Sequence, residues 1–87
     1  MFVIYNPVTM PKYNIIYTSP QKDHYLWDGT VLTKLEKAKQ ETLRFSGISF
    51  KEDELAERVI ECRSAVEESF PKDANPEIKP VQIRVSD

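Results

Sequence analysis

Residues 30–70 read TVLTKLEKAKQETLRFSGISFKEDELAERVIECRSAVEESF, and the fold turns on this stretch. In its first part Leu32, Leu35, Ala38, Thr42 and Phe45 recur at steps of three or four, the spacing that lines residues along one side of a helix. Asp28 or Thr30 can offer a side-chain oxygen to the unpaired N–H groups at its start, so a helix is predicted near residues 30–45. With Gly47 at the C′ position, Leu43 and Ile48 become the pair that touch in a Schellman motif. Ser49 then stands three residues before Glu52, the spacing of a capping box, and a second helix is predicted near residues 50–70.

That second segment carries the strongest periodicity in the chain: Leu55, Val59, Cys62, Val66 and Phe70 form one stripe, broadened by Ala56, Ile60 and Ala65. Glu52, Asp53 and Glu54 suit the positive end of the helix dipole, and Pro71 stops the helix. Two helices meeting at Gly47 make a hairpin whose apolar seam needs a sheet to cover it.

Strands are predicted on both sides of the hairpin. Phe2-Val3-Ile4-Tyr5 is β-branched and aromatic and is halted by Asn6-Pro7, as an edge strand near residues 2–5 would be. Over residues 12–18, Tyr13, Ile15 and Tyr17 alternate with Asn14, Ile16 and Thr18, which is the period of a strand. The polar, Pro-punctuated run of residues 19–23 suits a hairpin connection into a short strand near residues 24–27, closed by Asp28-Gly29. After a loop rich in Pro, Asp and Asn, Val81, Ile83 and Val85 alternate with Gln82, Arg84 and Ser86, a strand near residues 80–86. The expected fold is α+β: a small, mainly antiparallel sheet in the order β-β-β-α-α-β with a two-helix hairpin on one face.

The 87 residues leave room for one core, so residues 1–87 are read as one domain. Met10 is a second candidate start, which would make residues 1–9 an extension. Hydrophobic residues at 40% and charged residues at 30% suit a folded chain rather than a disordered tail. Twelve Lys and Arg stand against fourteen Asp and Glu, a formal charge of −2, so no global positive field exists to gather nucleic acid. Cys62 is the one cysteine, which excludes an intrachain disulfide and fits a reducing, cytoplasmic setting. No signal-like or membrane-spanning run is read, so export and a membrane partner are not expected.

Chemistry-bearing motifs are scarce. His24 stands without other ligands at metal spacing and is read as a solvated turn residue. Cys62 lies on the apolar stripe, where a free thiol acts as a small hydrophobe. Gly29 and Gly47 are both assigned to helix boundaries, which leaves no phosphate-cradling loop. No catalytic residue, cofactor or metal is therefore expected, and the chain is read as a non-enzyme. Residues 80–87 resemble locally the ribbon arm of ribbon-helix-helix repressors. In that family the strand precedes its two helices, whereas here it follows them, so no DNA-reading role is implied for Gln82 or Arg84.

Charge is the informative feature. The first predicted helix carries Lys34, Lys37, Lys39 and Arg44 against Glu36 and Glu41, net +2. The second carries Lys51, Arg58 and Arg63 against Glu52, Asp53, Glu54, Glu57, Glu61, Glu67 and Glu68, net −4. Exposed charge runs are most often solvated faces, here attracting each other weakly across the hairpin. A functional reading makes the chain a protein-interaction module, such as an adaptor, inhibitor or regulatory subunit. Its partner surface would be Glu54, Glu57, Glu61 and Glu68 together with the sheet aromatics Tyr25 and Trp27. The partner is then another protein, or a second copy that buries a spare edge strand. The alternative is a nucleic-acid-binding module that uses the basic first helix and a stacking platform of Tyr13, Tyr17, Tyr25 and Trp27.

Overall fold

A computed structural model of the chain describes residues 11–36 and 48–83. In order these are β1 (Lys12–Thr18), β2 (His24–Trp27), β3 (Leu32–Lys34), β4 (Phe50–Lys51), a 3-10 turn (Glu52–Glu54), α1 (Leu55–Ser69) and β5 (Glu77–Ile83). The architecture is a small α+β fold, a curled antiparallel sheet with one α-helix among the described residues.

β1 is the centre of the sheet. β5 pairs with it along its whole length, from Lys12 opposite Ile83 to Thr18 opposite Glu77. A strand has only two edges, so β2 and β4 share the other one. β2 pairs with Ile15 to Thr18, and β4 pairs with Lys12 and Tyr13. β3 closes that side by pairing with β2.

The alternation within β1 sends its side chains to two different cores. Ile15 and Tyr17, with Trp27 and Tyr25 directly opposite, face α1 and meet Phe50, Cys62 and Val66. Ile16, with Leu26 opposite, faces the other way and packs with Leu35 and Val81. Four successive residues, Asn14 to Tyr17, are at most 1% exposed. A strand dry on both faces carries no polar face, which is why Asn14, the polar exception, donates from its side-chain amide to the Ile48 carbonyl.

Several sequence expectations change here. The helix predicted over residues 30–45 is not present in its described part: Leu32–Lys34 is a strand, and residues 37–45, like Gly47 with its proposed turn, lie outside the described residues. The two-helix hairpin is therefore not confirmed: its second helix is present as α1, whereas the described start of its first helix is β3, which extends β1 and β2 into a three-strand meander. The capping signal had a real basis. Asp28 Oδ1 accepts the N–H groups of Thr30 (2.7 Å) and Val31 (2.8 Å), the same bonds a helix N-cap makes, but here they close the turn into β3. Gly29 belongs to that turn and not to a helix boundary, and its φ of 95° is the left-handed region that a side chain disfavours.

Ser49 precedes β4, so it caps nothing. The cap lies two residues later, where Glu54 accepts the Lys51 N–H at 2.9 Å. α1 consequently begins at Leu55 and stops at Ser69, before Pro71. The final strand begins at Glu77, three residues earlier than predicted, and residues 84–87 lie outside the described region, as does the strand predicted near residues 2–5.

The two-sided burial of β1 makes a sharp contrast between isoleucines. Ile15→Ala empties a site touched from the sheet and from α1 and is expected to cost about 2–5 kcal/mol in a chemical denaturation experiment. Ile60→Ala, on the outside of α1, is expected to change stability by no more than about 0.5 kcal/mol. Equal losses at the two positions would contradict this assignment of the core.

Candidate interaction surface

The inner stripe of α1 is the one its periodicity marks: Cys62 and Val66 are buried, and Leu55, Val59, Ala65 and Phe70 pack beside them. Ala56 and Ile60 do not broaden it. At roughly 100° per residue, Ile60 lies about 200° from Cys62, on the opposite side of the helix. It is 66% exposed, and Ala56 is exposed with it.

Arg58 organises the near flank. Its guanidinium lies 5.3 Å from the centre of the Phe50 ring. Nη1 donates to both carboxylate oxygens of Glu61 at 3.0 and 2.9 Å, and Nη2 lies 3.5 Å from Glu54 Oε2. The Lys51 N–H, more than Arg58, holds the Glu54 carboxyl below its ordinary range. Glu61 foremost, with Glu54, holds the Arg58 guanidinium above its own.

The predicted partner residues thus divide into three groups. Glu54 and Glu61 are already engaged with Arg58 and help seat α1 on β4. Glu57 and Glu68 are exposed and eleven residues apart, close to three full turns, so they share one stripe of the outer face. Glu67, included in the charge count but left out of the predicted partner surface, is exposed beside them, as is Ile60. The angular offset of Ile60 from the Cys62 stripe was the signal that could have found it.

The aromatic residues lie elsewhere. Trp27 is 4% exposed and packed under α1, so it presents no face to a partner, and its Nε1–H has no acceptor among the described residues. Tyr25 is half-buried, with its ring centre 5.7 Å from that of Tyr17 and 5.1 Å from that of Phe70. Tyr17 is fully buried and donates its hydroxyl to Asp73 Oδ2 at 2.6 Å. Phe70 and Asp73, which contact these tyrosines, also line a cleft of about 310 Å³ together with Pro20, Gln21, Pro71 and Lys72. His24 pairs its Nδ1 with Thr18 Oγ1 at 3.0 Å across the β1–β2 ladder, and its carbonyl accepts the Leu35 N–H.

Among the described residues, no group of three His, Cys, Asp or Glu side chains is placed to hold a metal, and no helix is long and apolar enough to cross a membrane. Compared with protein-family models, curated proteins and solved structures, the chain matches no family, no protein and no structure.

Burial also sets two titrations beneath the helix. It pushes the Cys62 thiol from 9.0 up to about 12, with Arg63 pulling weakly the other way. Burial first, and then the bond and charge of Asp73, pushes the Tyr17 phenol above its ordinary value of 10.0. Both groups are neutral when protonated and have higher pKa values folded than unfolded. Their contribution is complete below the unfolded values and is lost as pH rises past them. Stability is expected to be flat from pH 7 to about pH 9 and then to fall on the order of 1 kcal/mol per pH unit as Cys62 alone responds, more steeply once Tyr17 joins. Urea midpoints measured against pH test this, with Cys62→Ala removing the first limb. A midpoint unchanged up to pH 11 would contradict the burial of both groups.

Proposed function

We propose that the chain is a small non-enzymatic interaction module that binds another protein through the outer face of α1. The observation that carries this reading is Ile60, a large aliphatic side chain 66% exposed on a face it shares with the exposed Glu57, Glu67 and Glu68. An apolar centre with a charged rim is the anatomy of a protein contact, in which the desolvated centre supplies affinity and the rim supplies orientation and rate. Three carboxylates outnumber Arg63, the exposed basic residue on that side, so the complementary surface is basic.

The outer face of α1 is preferred over the nucleic-acid reading on two observations. Lys34, the one basic residue of the basic segment among the described residues, lies on a strand 3.6 Å from Asp23, while Lys37, Lys39 and Arg44 lie outside them; of the four rings, Tyr17 and Trp27 are buried against α1.

Affinity capture from the native host tests the proposal, using the intact chain beside Ile60→Ser and a Glu57→Lys/Glu68→Lys pair. Covering an isoleucine is worth about 1.5–3 kcal/mol, so Ile60→Ser is expected to weaken the complex about tenfold or more. The charge-reversed pair is expected to slow association and to weaken the dependence on salt. A partner retained unchanged by both variants would overturn the assignment of the surface.

A further inference from the structure

We infer that Pro80 closes the outer edge of β5 to strand pairing, so that the sheet ends there instead of offering a seam to a second copy of the chain. Among the described residues β5 pairs with β1 alone. The ladder runs through Pro80, opposite Ile15, without a break on either side. In an antiparallel pair successive residues turn their N–H and C=O groups alternately toward the partner and away from it. A residue without an N–H leaves such a ladder whole only where its nitrogen faces away.

That fixes the parity of the strand. Glu77, Lys79, Val81 and Ile83 bond to β1, and Ile78, Pro80 and Gln82 turn their backbone groups to the outer edge. The outer row therefore has donors at Ile78 and Gln82 and a gap between them. An incoming strand aligned across this edge keeps an unsatisfied carbonyl at its middle and meets the pyrrolidine ring there. Two β5 strands pairing about a two-fold axis at Pro80 would each lose the central donor. The exposed Lys79 beside it adds a charge that an edge-paired dimer would have to accommodate. The far side of the sheet is protected differently, because β3 is only three residues long. The edge-paired homodimer that the sequence left open is the species this arrangement disfavours.

Sedimentation velocity over a wide concentration range tests the inference on the full chain, with circular dichroism to confirm folding. Pro80→Val and Pro80→Thr restore the missing donor in a strand-favouring residue and are expected to self-associate at least about tenfold more strongly than the parent chain. Adding Gln82→Pro to Pro80→Val returns a gap to the same outer row and is expected to reverse the gain. Folded Pro80 variants that associate no more strongly than the parent, or a gain that Gln82→Pro leaves in place, would overturn the inference.

Discussion

Hydrogen bonding on both edges and burial on both faces fall together on β1, and the rest of the structure is arranged around that coincidence. Ile15 and Tyr17 need an apolar lid on one side and Ile16 needs one on the other. Its two edges need β5 on one side and β2 with β4 on the other. α1 is the lid on the first face, and the placement of its inner stripe follows from the rings already lying there. The Tyr17–Asp73 bond then ties the loop after α1 to the same central strand, so the helix is anchored at its C-terminal end by β1 and near its N-terminal end by Arg58 on Phe50.

What was legible in the sequence follows from length and period. The seven residues of β1 repeat their pattern often enough to be read, and the Pro71 stop and the Cys62–Val66 stripe of α1 are equally plain. β3 was not legible, because three residues cannot establish a period of two and Leu32 with Leu35 also fits a helical step. Asp28 reinforced the error. A side-chain oxygen accepting N–H groups two and three residues ahead looks the same before a helix and in a turn, and only the continuation distinguishes them. The capping box was misplaced for a related reason: Ser49-to-Glu52 and Lys51-to-Glu54 have the same spacing, and pairing of Phe50 and Lys51 with β1 selected the second.

Legibility of the surface was also partial. Counting charges along α1 gives the correct sign for its outside, but it cannot say which carboxylates are spent internally. Arg58 takes Glu54 and Glu61 because it is held over Phe50, a residue that reaches it only through the sheet. Trp27 was misread as a surface aromatic for the same reason in reverse: its burial depends on a helix that begins far along the chain. Ile60 is the opposite case, since its exposure follows from angle alone and needs no knowledge of the tertiary fold.

The pairing of β1 with β5 also dictates an order of assembly. Lys12 meets Ile83 and Thr18 meets Glu77, so the longest ladder in the sheet joins its most distant strands and carries the largest loop-closure cost. The β1–β2 hairpin and α1 rest on local contacts and are expected to form at lower entropic cost than the pairing of β5 with the second edge of β1. Until β5 pairs, the most deeply buried of the described strands has an open edge, so aggregation is expected to be a hazard of the incompletely folded chain rather than of the finished fold. Refolding yield is therefore expected to fall with chain concentration more than final stability alone would dictate.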